Sequence, residues 1–69
     1  MDKFEELLKR LGATSPAKSV KAKRLSELTG IPTILLKTYL DSLSRSEKSK
    51  IMSIEYDSSY YVNSYADNF

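Results

Sequence analysis

Cysteine, histidine and tryptophan are all absent from this chain of 69 residues. The first two absences exclude disulfides, thiol nucleophiles, the usual zinc ligand sets and imidazole acid–base chemistry. Long apolar runs are missing too: the longest aliphatic one, Ile34-Leu35-Leu36, falls far short of the roughly 20 residues that cross a membrane. The start of the chain, Met1 to Glu6, mixes charges of both signs and lacks the apolar stretch of a secretory signal. An intracellular protein, cytoplasmic or nucleoid-associated, is expected, with no membrane contact. The missing thiols fit a reducing compartment.

What remains is a globular balance, with 41% apolar and 29% charged residues. A chain this short buries only about 60% of the surface that its unfolded form exposes. Little interior is left for a cavity enclosing both substrate and catalytic groups. A binding module with no cofactor and no metal is therefore expected, not an enzyme. The carboxylate pair Glu5-Glu6 reads as solvated helix surface, because no second reactive group converges on it. The net charge of +2 conceals a split: residues 1–50 hold all 11 Lys and Arg and carry +5, whereas residues 51–69 carry −3. The densest cations are Lys18, Lys21, Lys23 and Arg24, which suit either a solvated face or contact with a polyanion.

Glycine and proline number two each, and all four mark boundaries. Phe4, Leu7, Leu8 and Leu11 stand at helical spacing, with Asp2 as a candidate N-cap, Glu5 completing a capping-box-like pair and Gly12 as the stop. A helix over 2–11 is predicted. Thr14-Ser15-Pro16 is a turn, and Ser19-Val20 suits a very short strand. A second helix over 22–29 carries Leu25 and Leu28 inward and ends at Gly30. A third runs from Pro32 or Thr33 to Ser44, with Leu36, Tyr39, Leu40 and Leu43 in register. Beyond a polar link, β-branched and aromatic residues predict a β-hairpin, 50–56 and 60–63, whose Asp57-Ser58-Ser59 turn lacks glycine and so favours a longer loop. One domain over 1–63 with a flexible tail over 64–69 follows.

Within this order, Leu25-Ser26-Glu27-Leu28-Thr29-Gly30-Ile31-Pro32 has the pattern of an apolar residue, a small residue, three variable ones, a glycine, an apolar residue and a helix start. The motif and the element order together resemble the winged helix-turn-helix family of DNA-binding domains. The resemblance spans residues 4–63, and the eight-residue motif is its specific part. It implies a mainly α fold with a small β-hairpin, a three-helix winged helix-turn-helix of the α+β class. In it Leu25 packs on the next helix, Ser26 permits close approach, Gly30 makes the turn and Ile31 plugs the angle. Leu36 and Tyr39 would then pack inward. The chain departs from the family where Arg45-Ser46-Glu47-Lys48 replaces the glycine common after the third helix, so a longer or looser exit is expected.

The resemblance also implies that the third helix enters the major groove of double-stranded DNA. Thr33, Ile34, Lys37 and Thr38 would then face base edges, with Asp41 needing to lie off the groove. Lys18, Ser19, Lys21, Lys23 and Arg24 would meet phosphates, joined by Arg45, Lys48 and Lys50 beside the hairpin. The hairpin tip brings no cation to a minor groove. A small transcriptional regulator, or a replication or chromatin accessory factor, is the expected function. The resemblance further allows a homodimer on DNA, formed through the first helix or the C-terminal segment. The alternative is a protein-docking module in a larger assembly, with Tyr60, Tyr61 and Tyr65 as its surface; adjacent strand residues point to opposite sides, so Tyr60 and Tyr61 cannot both face inward.

Overall fold

A computed structural model describes residues 3–63. Helix α1 (Lys3–Arg10) leads through a single 3-10 turn (Pro16–Lys18) to strand β1 (Val20–Lys21), then to α2 (Ala22–Thr29) and α3 (Thr33–Ser44). Strands β2 (Ile51–Ile54) and β3 (Ser59–Val62) complete the order, joined by a second 3-10 turn (Glu55–Asp57). This is an α+β arrangement of three helices and an antiparallel sheet, in the order of a winged helix-turn-helix. The candidate N-cap Asp2 and the tail 64–69 lie outside the described residues.

Two glycines set the helix ends. Gly12 has φ +77°, and the Gly12 and Ala13 amides donate to the Lys9 and Leu8 carbonyls at 3.0 and 2.8 Å, a Schellman closure that brings Ala13 onto Leu8. Gly30 has φ +76°, and its amide donates to the Ser26 carbonyl at 2.8 Å. No atom would meet an added Cβ at Gly30, so glycine is needed there for backbone conformation, not for space. Side chains tighten the same turn: Ser26 Oγ donates to the Ile31 carbonyl at 2.6 Å, and Thr29 Oγ1 donates to the Leu25 carbonyl at 2.7 Å.

The sheet order is β1-β3-β2, with β3 at the centre. Val20 pairs with Tyr60 on one side, and Ser53 pairs with Tyr60 on the other. The weak Ser19-Val20 signal thus belongs to a real strand, displaced by one residue. The first hairpin strand is shorter than expected, because Glu55 and Tyr56 curl into the tip, where Ser58 adopts the left-handed conformation at φ 51°, and the second keeps its expected length but starts one residue earlier. In place of a glycine, turn bonds organise the exit from α3: the Arg45 and Ser46 amides donate to the Ser42 and Leu43 carbonyls.

Leu8, Leu25, Leu36, Leu40, Tyr60 and Val62 are fully or almost fully buried and tie all three helices to β3. Several apolar side chains depart from expectation. Leu28 is 46% exposed, because α2 centres Ala22 and Leu25 on the core and Leu28 lies roughly a quarter turn away. Tyr39 is half-exposed, stacked obliquely on Phe4 at 5.5 Å between ring centroids, and Ile31 sits partly in solvent. On α1 the buried residues are Leu8 and Glu5, so Glu5 is not solvated surface; the helix is rotated so that Phe4, Leu7 and Leu11 form an edge.

Candidate nucleic-acid interface

The α2–turn–α3 unit leaves the outer face of α3 uncovered among the described residues. Leu36 and Leu40 point inward, so residues about half a turn around the helix point away from the core. Ile34 is 74% exposed and Thr38 is exposed, whereas Thr33 and Lys37 are only half-exposed. The hydroxyl of Thr38 already donates to the Ile34 carbonyl at 3.0 Å, which leaves it an acceptor toward a ligand. The face is less polar than its sequence suggested.

Asp41 lies off this face. Its Oδ1 accepts from the Tyr60 hydroxyl at 2.7 Å and from Ser53 Oγ at 3.4 Å, tying α3 to β3 and β2. Tyr60 is therefore no docking surface: it sits on the central strand with its ring wholly buried and its hydroxyl spoken for. Burial, followed by the Asp41 hydrogen bond and charge, pushes its phenol well above the ordinary 10.0. Tyr61 is half-buried and packs against the core edge, while Tyr65 lies outside the described residues. The most exposed tyrosine among the described residues is Tyr56, 96% accessible at the hairpin tip, a position expected to lie in a strand.

The cations at the start of α2 are exposed: Lys18 on the 3-10 turn, Lys21 at the N-cap position, Lys23 and Arg24 on the first turn. Ser19 between them is half-buried. Two of the four cations have internal carboxylate partners. Lys21 Nζ is 3.6 Å from Asp57 Oδ1, and Arg24 Nη1 is 3.9 Å from Glu27 Oε2. Asp57 also accepts from Ser59 Oγ at 2.7 Å. That hydrogen bond above all, with the charge of Lys21 adding to it, outweighs desolvation and holds the Asp57 carboxyl below its usual 3.8. Arg45 and Lys48 are exposed and Lys50 is half-buried, all beyond the C-terminal end of α3. At 1.5 Å per residue the ends of α3 are about 17 Å apart, which sets Arg45, at the helix C-cap, well away from Thr33.

A second surface was not foreseen. Phe4 of α1, Ile31 of the turn, and Leu35, Leu36 and Tyr39 of α3 line an open groove of about 300 Å³. Leu35 is 59% exposed there. The apolar spacing along 4–11 gave no separate signal for it, since its arc has the ordinary width of a core-facing stripe. No cluster of three or more candidate metal ligands occurs among the described residues, and no helix among them is long and apolar enough to cross a membrane. No protein-family model, curated protein or solved structure matches the chain.

Proposed function

We propose that this chain is a winged helix-turn-helix protein that binds double-stranded DNA, with α3 in the major groove and the α2 cations on phosphates, in a regulatory, replicative or chromatin accessory role. One observation carries the reading. The glycine turn projects the N-terminal half of α3 outward while exposed Lys18, Lys21, Lys23 and Arg24 gather where the preceding helix begins. A mildly apolar reading face without Arg, Asn or Gln gives modest sequence preference, so phosphate contacts dominate. Fluorescence anisotropy on a random-sequence duplex tests this: log affinity falls linearly with log salt. Charge reversal of Lys21 and Arg24 lowers affinity for all sequences alike, whereas Thr33→Ala with Lys37→Ala shifts preference between sequences. Unchanged binding in both variants would remove the reading.

A protein-docking role, in a homodimer or a larger assembly, is the second reading. The groove between α1 and α3 favours it, since Leu35, Ile31 and Tyr39 form a contiguous apolar patch of the kind that marks interaction sites. Absence of DNA binding at low salt, together with self-association by sedimentation that Leu35→Ser abolishes, would move the function there.

A further inference from the structure

The hairpin tip is folded back onto the cation strip. The Ala22 amide, at the start of α2, donates to the Ser58 carbonyl at 2.8 Å, and Lys21 pairs with Ser59 in the sheet register. This geometry delivers Asp57 from a distant part of the chain to Lys21. One carboxylate oxygen is held by Ser59 Oγ at 2.7 Å and the other faces the Lys21 ammonium at 3.6 Å. Glu27, the partner of Arg24, lacks such delivery: it is an i,i+3 neighbour on the same exposed helix.

We propose that the hairpin tip acts as an intramolecular competitor for nucleic acid, with the Asp57 carboxylate occupying the Lys21 ammonium in the unbound protein. The inference rests on the DNA reading and assigns the tip a restraining role instead of a groove-binding one. A phosphate oxygen and a carboxylate oxygen make the same kind of charge-assisted contact with an ammonium. Both side chains remain accessible, 67% for Lys21 and 44% for Asp57, so a phosphate can reach the cation and exchange with the carboxylate. Exposed ion pairs are weak, which makes this contact a tuning device that a polyanion overcomes. The carboxylate facing Lys21 is that of Asp57, so Glu55, on the same 3-10 turn, serves as a charge-matched comparison.

The test is anisotropy on a 20-bp duplex across a salt series, using the full chain and Asp57→Asn, which removes the charge and keeps an acceptor for Ser59. Asp57→Asn is expected to bind about two- to five-fold more tightly at low salt. The gain should shrink as salt rises, because the exposed Lys21–Asp57 pair that the substitution removes is itself screened, while the number of phosphates contacted stays the same. Glu55→Gln should give a smaller gain, and the gain from Asp57→Asn should vanish in a Lys21→Gln background. Equal gains from Glu55→Gln and Asp57→Asn, or a gain that survives Lys21→Gln, would reduce the effect to net charge and overturn the proposal. Wild-type binding with no change in Asp57→Asn would overturn it while leaving the DNA reading intact. Absence of binding in both proteins would defeat the DNA reading itself. Thermal melting of each variant verifies that the fold is retained.

Discussion

Toward the sheet, α3 is held by Leu36 and Leu40 in the core and by Asp41 bonded to Tyr60 and Ser53. Toward α1, the same helix offers Leu35 and Tyr39 to a groove that solvent enters. The flanks differ in what satisfies them. Apolar contact and a polar network close the first within the chain, fixing the height and rotation of the helix. The second retains apolar area that another molecule can cover. The closed and open flanks are thus adjacent faces of one twelve-residue helix, meeting at Leu36.

The largest expected effect tests the closed flank. Leu36→Ala removes a buried side chain at the centre of the helix, with a cost of about 2–5 kcal/mol. That is comparable with the whole stability of many small domains, so its circular dichroism melt should shift far downward, and an unchanged melt would contradict the packing. Tyr60→Phe comes next. It leaves the Asp41 carboxylate without its shortest partner and should cost about 1–3 kcal/mol by urea denaturation.

A pH effect accompanies Tyr60→Phe. The folded phenol titrates above its ordinary 10.0, so the protonated form is the one that the fold stabilises. That contribution is complete below the unfolded value and is lost as pH rises through the interval above it. Wild-type stability should therefore fall more steeply above about pH 10 than that of Tyr60→Phe; parallel curves would show that the buried hydroxyl is not coupled to folding.

Gly30→Ala, at the turn that launches both flanks, meets no steric obstacle and should cost only the left-handed conformation, about 1–2 kcal/mol. Smallest is Leu35→Ala on the open flank, expected to change stability by within about 0.5 kcal/mol. A loss as large as that of Leu36→Ala would mean that the groove is closed in solution, erasing the contrast between the flanks.

Much of this architecture was legible from residue patterns. The spans of α2 and α3, the turn at Gly30 and the hairpin followed from apolar periodicity and from scarce glycines and prolines, because those signals are local. The strand near Val20 was faint, since two residues in a strand carry almost no periodicity; its place is set by pairing with Tyr60. Burial of Tyr60 was missed for a similar reason. Adjacent tyrosines fix only that the two point to opposite sides, and β3 becoming the central strand decided which one entered the core. The site was legible as a set of exposed cations and an outward helix face, but the pairing of Lys21 with Asp57 was not. Those residues meet only because the hairpin folds back to β1.

Residue order alone determined the helices, the helix-turn-helix punctuation, the hairpin and the division between a basic body and an acidic end. Each of these depends on neighbours a few positions apart, where backbone sterics and side-chain spacing act directly. Tertiary structure decided which part of each apolar arc was buried, which tyrosine became core and which cation met a carboxylate. Those outcomes depend on rotations of helices by a fraction of a turn and on strand order. They are set by the joint packing of distant segments around one small core.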